Sequence, residues 1–291
     1  KGLRALNVKI KEEDGYIFCD GSEMCGGFVH LDYPSVGATE NIMMAATLCK
    51  GVTIINNAAK EPEIVDLANF INTLGGKIKG AGSDKIEIIG VKSLNGGSYR
   101  CIGDRIYAGT MLLAGVMTGG EIELTDINYN YLQPLVSKLC ESACKIECFS
   151  DKIYVYNSNR MKAIRLTATM PYPGFPTDLQ APLMSALTIA DGTSIIVENL
   201  FETRFKHVPE LIKMGAEITV KDRVAIIDGV KKLHSADVTA KDLRGGAALV
   251  LAALTADGNT VINEVNHIDR GYVAIEKTLA NLGADIKRIA F

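Results

Sequence analysis

With 291 residues the chain is long for one compact domain and about right for two, and a hydrophobic fraction of 47% suffices for large cores. A net charge of -3 gives no electrostatic case for nucleic acid or acidic lipid, and the lack of Trp argues against a base-stacking surface. The most continuous apolar run, residues 247–254, falls far short of the roughly 18–20 residues that a membrane span needs.

The first segment, Lys1-Gly2-Leu3-Arg4-Ala5-Leu6, has no signal-peptide architecture and reads as the end of a helix with no helix before it. A fold that starts in mid-module leaves a core face uncovered, so truncation upstream of Lys1 is expected. Next comes Tyr33-Pro34-Ser35-Val36-Gly37-Ala38-Thr39, a proline-set turn into a helix start made of small residues. Its N–H groups and hydroxyls suit a phosphate, although the P-loop pattern is absent. Ser35 is the expected cap of a helix that ends before Gly51. The strand Val52-Thr53-Ile54-Ile55 follows, and then a second helix whose apolar face includes Leu67, Phe70, Ile71 and Leu74.

This pattern returns along the chain. Gly51, Gly120, Gly192 and Gly258 each lead from a helix-like stretch into β-rich sequence, and sixteen residues before them stand Ser35, Asp104, Pro176 and Asp242. Ile78, Ile146, Ile218 and Ile286 share a second frame, with Ile10 preceding them. The unit is a βαβαββ module, present four times with the tail of a fifth in front. The fold class is α/β (α+β), built of repeated modules. A division near residue 102 is expected: an incomplete first lobe over 1–102 and a three-module second lobe over 103–291.

The module frame also lines up charge. Two residues past the last two caps lie Asp178 and Arg244, and twelve past the last two landmark glycines lie Arg204 and Arg270. Taken alone, Asp178 reads equally well as a helix cap and each Arg as a surface charge. Their coincidence in the frame, in loops or first helical turns where N–H groups are free, points to an anion ligand. The seven cysteines form no short-domain framework, which fits a reducing compartment. Cys140, Cys144 and Cys148 lack paired ligand spacing, so they read as buried or semi-buried thiols, and no metal site is expected.

Six strings, in order along the chain, carry a resemblance: SVGAT (35–39), AAKEPEIVD (58–66), FPTDLQ (175–180), RFKHVPEL (204–211), DLR (242–244) and HIDRGY (267–272). Together they resemble the UDP-N-acetylglucosamine 1-carboxyvinyltransferases, a branch of the enolpyruvyl transferases, over the carboxy-terminal two-thirds of such an enzyme. The resemblance implies two pseudo-threefold lobes of βαβαββ modules with the active site in the cleft between them. It implies transfer of the enolpyruvyl group of phosphoenolpyruvate to the 3-hydroxyl of UDP-N-acetylglucosamine, in the cytoplasm, as the first committed step toward peptidoglycan. Neither a cofactor nor an obligatory protein partner is implied. Carried over by position, Asp178 is a general base and Arg204, Arg244 and Arg270 bind phosphoenolpyruvate. Ser35, Val36 and Gly37, flanked by Tyr33 and Pro34, meet the nucleotide diphosphate, and Leu200 lies beside the sugar. The family's mobile loop with its proton donor has no counterpart string here, so the 291 residues alone are expected to be inactive. The other class of reading is a non-catalytic fragment that binds nucleotide sugar.

Overall fold

In the computed structural model, which describes residues 1–289, the chain divides into two units. The first comprises Lys1–Ile102 with Pro171–Pro173, and the second comprises Gly103–Met170 with the chain from Gly174 onward.

The first unit opens with α1 (Gly2–Ala5) and an antiparallel pair, β1 (Lys9–Glu13) and β2 (Tyr16–Asp20). One full module follows: β3 (Phe28–His30), α2 (Val36–Thr47), β4 (Val52–Asn56), α3 (Pro62–Thr73), β5 (Ile78–Lys79) and β6 (Lys85–Ile89). Its sheet runs β3-β4-β6-β5, with β3 and β4 parallel and the other pairs antiparallel. Along β4 the side chains alternate, so Thr53 and Ile55 are buried. Ile55, Ile64, Ile86 and Ile88 have no exposed surface and centre a core of their own. Asp66 on α3 accepts hydrogen bonds from the Tyr99 hydroxyl at 2.7 Å and from Ile102 N–H at 3.3 Å, which ties the closing segment of this unit to its helix.

The second unit begins with α4 (Arg105–Thr118), β7 (Glu121–Thr125), α5 (Gln133–Glu141), β8 (Lys145–Cys148) and β9 (Lys152–Tyr156), with strand order β7-β9-β8. A second full module follows: β10 (Thr167–Ala168), α6 (Gln180–Leu187), β11 (Thr193–Val197), α7 (Val208–Lys213), β12 (Glu217–Lys221) and β13 (Val224–Asp228). Its order β10-β11-β13-β12, with β10 and β11 parallel, reproduces that of the first unit's module. The last module holds β14 (Asp237–Thr239), α8 (Leu243–Ala253), β15 (Val261–Asn263), α9 (Asn266–Asp269) and α10 (Ile275–Asn281), and β14 pairs in parallel with β15.

The capping residues explain where the first helices start. The side chains of Ser35, Asp104 and Asp242 accept from backbone N–H groups of α2, α4 and α8 respectively. Gly51, Gly192 and Gly258 take φ of +97, +109 and +87, a region in which other residues are strained. In the remaining module the left-handed residue is Gly119 (φ +69), one place before the expected Gly120, because α4 ends in a left-handed cap. Among the described residues the strand expected around Ile286 does not form: Ala284 and Ile286 pack against the core, while Ile289 is exposed. Cys144 is buried as expected, whereas Cys140 and Cys148 are exposed. Cys144 lies beyond the end of α5, so the four-residue spacing does not put the three on one helix face.

The three helices α4, α6 and α8 pack against one another and are almost wholly buried. Small residues allow the approach: a methyl group on Gly109 of α4 would meet Leu179 Cδ1 at 2.8 Å. The core around them includes Leu112, Leu183 and Leu251, each without exposed surface. Truncating any one to Ala would cost about 2–5 kcal/mol. This packing brings the amino ends of the second unit's first helices together, and the charged residues of the module frame lie there.

Candidate active site

In the second unit Asp178 is the common partner of two arginines. Arg204 Nη2 donates to Asp178 Oδ1 at 2.5 Å and to the Thr177 carbonyl at 3.2 Å, and Arg244 Nε lies 3.4 Å from the same carboxylate oxygen. Asp178 is half-buried, and both arginine side chains are largely so. Burial disfavours the charged carboxylate, but the Arg244 and Arg204 guanidiniums outweigh it and hold Asp178 below the ordinary carboxylate value.

Each guanidinium is itself placed by an aromatic ring. Arg204 lies over Phe201, 5.2 Å from its centroid, and Arg244 lies 5.5 Å from the centroid of Tyr272. Arg244 Nη1 donates to the Tyr272 hydroxyl at 3.2 Å, and that hydroxyl pairs with Thr110 Oγ1 of α4 at 2.9 Å. Tyr272 is fully buried, so this chain links α8, the segment after α9, and α4. The Nε atoms of Arg204 and Arg244 are buried without a hydrogen-bond partner among the described residues, as is the whole side-chain amide of Gln180.

The local settings differ from those the sequence suggests. Thr177–Leu179 is a turn of 3-10 helix and α6 starts at Gln180, so Asp178 is not in the first α-helical turn. Its ionisation therefore rests on two arginines rather than on a helix end. Arg244 does lie in the first turn of α8. Arg204 stands in a turn four residues ahead of α7, and Arg270 lies in the loop that follows the one-turn helix α9. Arg270 is exposed and makes no side-chain hydrogen bond or ion pair among the described residues. Its neighbour Asp269 is taken up by Arg288, at 2.9 and 2.6 Å.

Gly245 and Gly246, poor helix formers at the start of α8, have a packing reason. A methyl group on Gly246 would sit 2.5 Å from Ile268 Cγ1, and one on Gly245 would press on His207. His207 is buried, and burial lowers its pKa to about 4, so it is neutral. The turn carrying Arg204 can thus lie flush on the helix carrying Arg244. Leu200 is half-buried, and its N–H donates to Glu198 Oε1 at 2.8 Å.

In the first unit, Ser35 is the cap of α2: its hydroxyl accepts from Ala38 N–H at 3.3 Å and its carbonyl accepts from the Thr39 hydroxyl at 2.8 Å. Tyr33 and Gly37 are exposed, Pro34 and Val36 are half-buried, and nothing lies within 4 Å of the space a side chain on Gly37 would fill. The first N–H groups of α2 have no intrahelical acceptor, so this end can receive an anion.

Sequence reasoning missed Glu198, Tyr272 and His207 as supports of the cluster. The frame carried a signal for Glu198: six residues past the landmark glycines stand Asn57, Asp126, Glu198 and Glu264, all polar. The other three take positive φ, whereas Glu198 does not.

Comparison with known proteins adds a second line. A family model described as EPSP synthase (3-phosphoshikimate 1-carboxyvinyltransferase) matches residues 1–279. The chain is 54% identical over 289 residues to UDP-N-acetylglucosamine 1-carboxyvinyltransferase 2 of Caldanaerobacter subterraneus subsp. tengcongensis, and 49% identical over 289 residues to the protein of that name from Clostridium tetani. Each match covers 99% of this chain and 69% of the relative. Among solved structures, the enolpyruvyl transferase NikO from Streptomyces tendae superposes with a TM-score of 0.89 at 25% identity, covering 98% of this chain and 71% of that one. An EPSP synthase from Acinetobacter baumannii shares the fold, with a TM-score of 0.72 at 18% identity over 100% of this chain and 70% of its own.

Proposed function

Because this chain belongs to the enolpyruvyl transferases, and within them to the UDP-N-acetylglucosamine 1-carboxyvinyltransferases, we propose that it moves the enolpyruvyl group of phosphoenolpyruvate to the 3-hydroxyl of UDP-N-acetylglucosamine, with release of phosphate. The observation that carries the reading is one ionised carboxylate, Asp178, held between Arg204 and Arg244. A carboxylate beside a hydroxyl accepts its proton, and two guanidiniums beside that carboxylate suit a substrate that is itself an anion.

The hydroxyl oxygen bonds to C2 of phosphoenolpyruvate and gives its proton to Asp178, while the methylene carbon takes a proton from an acid. Elimination from the tetrahedral intermediate then removes a proton from that carbon and breaks the C–O bond to phosphate. Arg204, Arg244 and Arg270 balance the carboxylate and phosphate charges through both steps. The buried Nε of Arg204 has no hydrogen-bond partner among the described residues, which leaves guanidinium capacity that Asp178 does not use. Ser35, Val36 and Gly37, with Tyr33 and Pro34, hold the nucleotide diphosphate, and Leu200 packs on the sugar. We assign the acid to none of these residues and place it outside residues 1–291, so the chain by itself gives no turnover. The reaction is placed in the cytoplasm and in peptidoglycan synthesis.

The test is phosphate release by the enzyme that contains this chain. Release should require both substrates and should fail when shikimate 3-phosphate replaces UDP-N-acetylglucosamine. Equal release with either acceptor would overturn the acceptor assignment, and release by the 291 residues alone would overturn the placement of the acid.

A further inference from the structure

Glu198, just past the end of β11, has no exposed surface. Its carboxylate nevertheless collects four hydrogen bonds from three stretches of chain. Oε1 accepts from the Thr169 hydroxyl at 2.9 Å, Leu200 N–H at 2.8 Å and Phe201 N–H at 3.1 Å, and Oε2 accepts from the Thr177 hydroxyl at 2.9 Å. A buried carboxylate with no ion-pair partner among the described residues is costly unless its lone pairs are occupied, and here they are.

The donors are informative because of where they lie. Thr177 directly precedes Asp178. Leu200 and Phe201 begin the connection that leads to Arg204, and Phe201 is the ring beneath the Arg204 guanidinium. Arg204 in turn donates to the Thr177 carbonyl. Thr177 is therefore held twice by one connection, at its hydroxyl by Glu198 and at its carbonyl by Arg204. Arg223 braces the same connection by donating to the Asn199 carbonyl at 2.9 Å.

We propose that Glu198 is a positioning residue for the transfer reaction: through the Thr177 hydroxyl it fixes the turn that presents Asp178, and through Leu200 and Phe201 it fixes the loop that carries Arg204. The proposal rests on the enolpyruvyl transfer reading above. Substituting Glu198→Gln leaves an amide oxygen for the two loop N–H groups but turns an NH₂ toward Thr177, so the charge-assisted bond from that hydroxyl is lost and at most a weaker neutral one of reversed direction replaces it. Thr177→Val removes the same bond from the other side, and Thr177→Ser keeps it.

A displacement of about 1 Å at a reacting group costs on the order of 10²-fold. In the enzyme that contains this chain, kcat should therefore fall roughly 10- to 100-fold in Glu198→Gln and Thr177→Val, with KM for UDP-N-acetylglucosamine within about threefold and Thr177→Ser near the parent. Carboxyl carbon NMR titration of Asp178, without substrates, should show its midpoint move upward in the first two variants only, as contact with Arg204 loosens. Unchanged kcat with an unchanged Asp178 titration would overturn the proposal. So would a loss of kcat matched by lower thermal stability that Thr177→Ser fails to restore. If the parent releases no phosphate, the function reading fails, and the Asp178 titration alone then decides the positioning role.

Discussion

Gly245 lies so close to His207 that a methyl group on it would sit 2.9 Å from the His207 Cβ. That contact seats the turn holding Arg204 on the helix holding Arg244. Gly245→Ala sets two effects against each other. Better helix propensity contributes up to about 1 kcal/mol, and overpacking costs about 1–3 kcal/mol. The contact is with Cβ, which cannot swing aside, so we expect net destabilisation of about 1 kcal/mol and reduced turnover. Urea unfolding of Gly245→Ala checks the sign, and greater stability would mean that the turn yields freely.

His207 makes stability sensitive to acid. Its pKa falls from about 6.5 unfolded to about 4 folded because burial excludes the charged ring. Between those values the unfolded chain binds more protons, so stability present above pH 6.5 is lost as pH falls toward 4. The full loss is on the order of 3 kcal/mol. Denaturant melts of the parent at pH 7 and pH 5 should differ more than those of His207→Gln. Equal pH dependence would show that other groups set the acid limit.

Asp178→Asn separates base from cap. Thr177–Leu179 is a 3-10 turn, so no α-helix depends on this side chain for its cap. Turnover should fall at least ~10²-fold, with nucleotide-sugar affinity changed far less. A carboxylate held below its ordinary value stays charged down to acid pH, so kcat/KM in the parent should show no limb from Asp178 between pH 5 and 8. In Arg244→Ala the largest stabilising charge is gone, and the limb should move upward. A turnover within a few-fold of the parent in Asp178→Asn would retire the base.

Arg270 and Arg244 should part company in one measurement. Arg270 has no side-chain partner among the described residues, so Arg270→Ala should leave thermal stability unchanged while weakening phosphoenolpyruvate use about 10- to 100-fold. Arg244→Ala should lose both, because it also strips Tyr272 of a donor and Asp178 of a neighbouring charge. Calorimetry beside substrate kinetics reads the two effects separately, and a melting point lowered in Arg270→Ala would give that side chain a structural role.

The modules were legible because caps and left-handed glycines are local devices: Ser35, Asp104 and Asp242 announce helices, and Gly51, Gly192 and Gly258 announce strands. The cluster was half legible. Asp178, Arg204 and Arg244 stand out as charges that repeat in frame, and the structure gathers them. What sequence could not show is tertiary. Glu198 looks like any acid at a strand end until four donors from separate segments converge on it, and Gly245-Gly246 looks like a weak helix start until His207 and Ile268 are seen against it. The setting of Asp178 was misjudged because hydrogen bonds, not composition, decide between a 3-10 turn and an α-helix.

Asp178 and Arg244 each stand two residues past the cap in successive modules, and they face each other. In a ring of three identical chains, one module apiece, rotation would put the same side chain at both places. Two carboxylates or two guanidiniums would then meet at ion-pair range and repel. In this chain the two modules have diverged, one keeping an acid and its neighbour a base, so the equivalent positions attract instead of repel. Arg204 reaches the same carboxylate from Asp178's own module, so the site joins one pairing built within a module to one that exists only because two neighbouring modules have diverged.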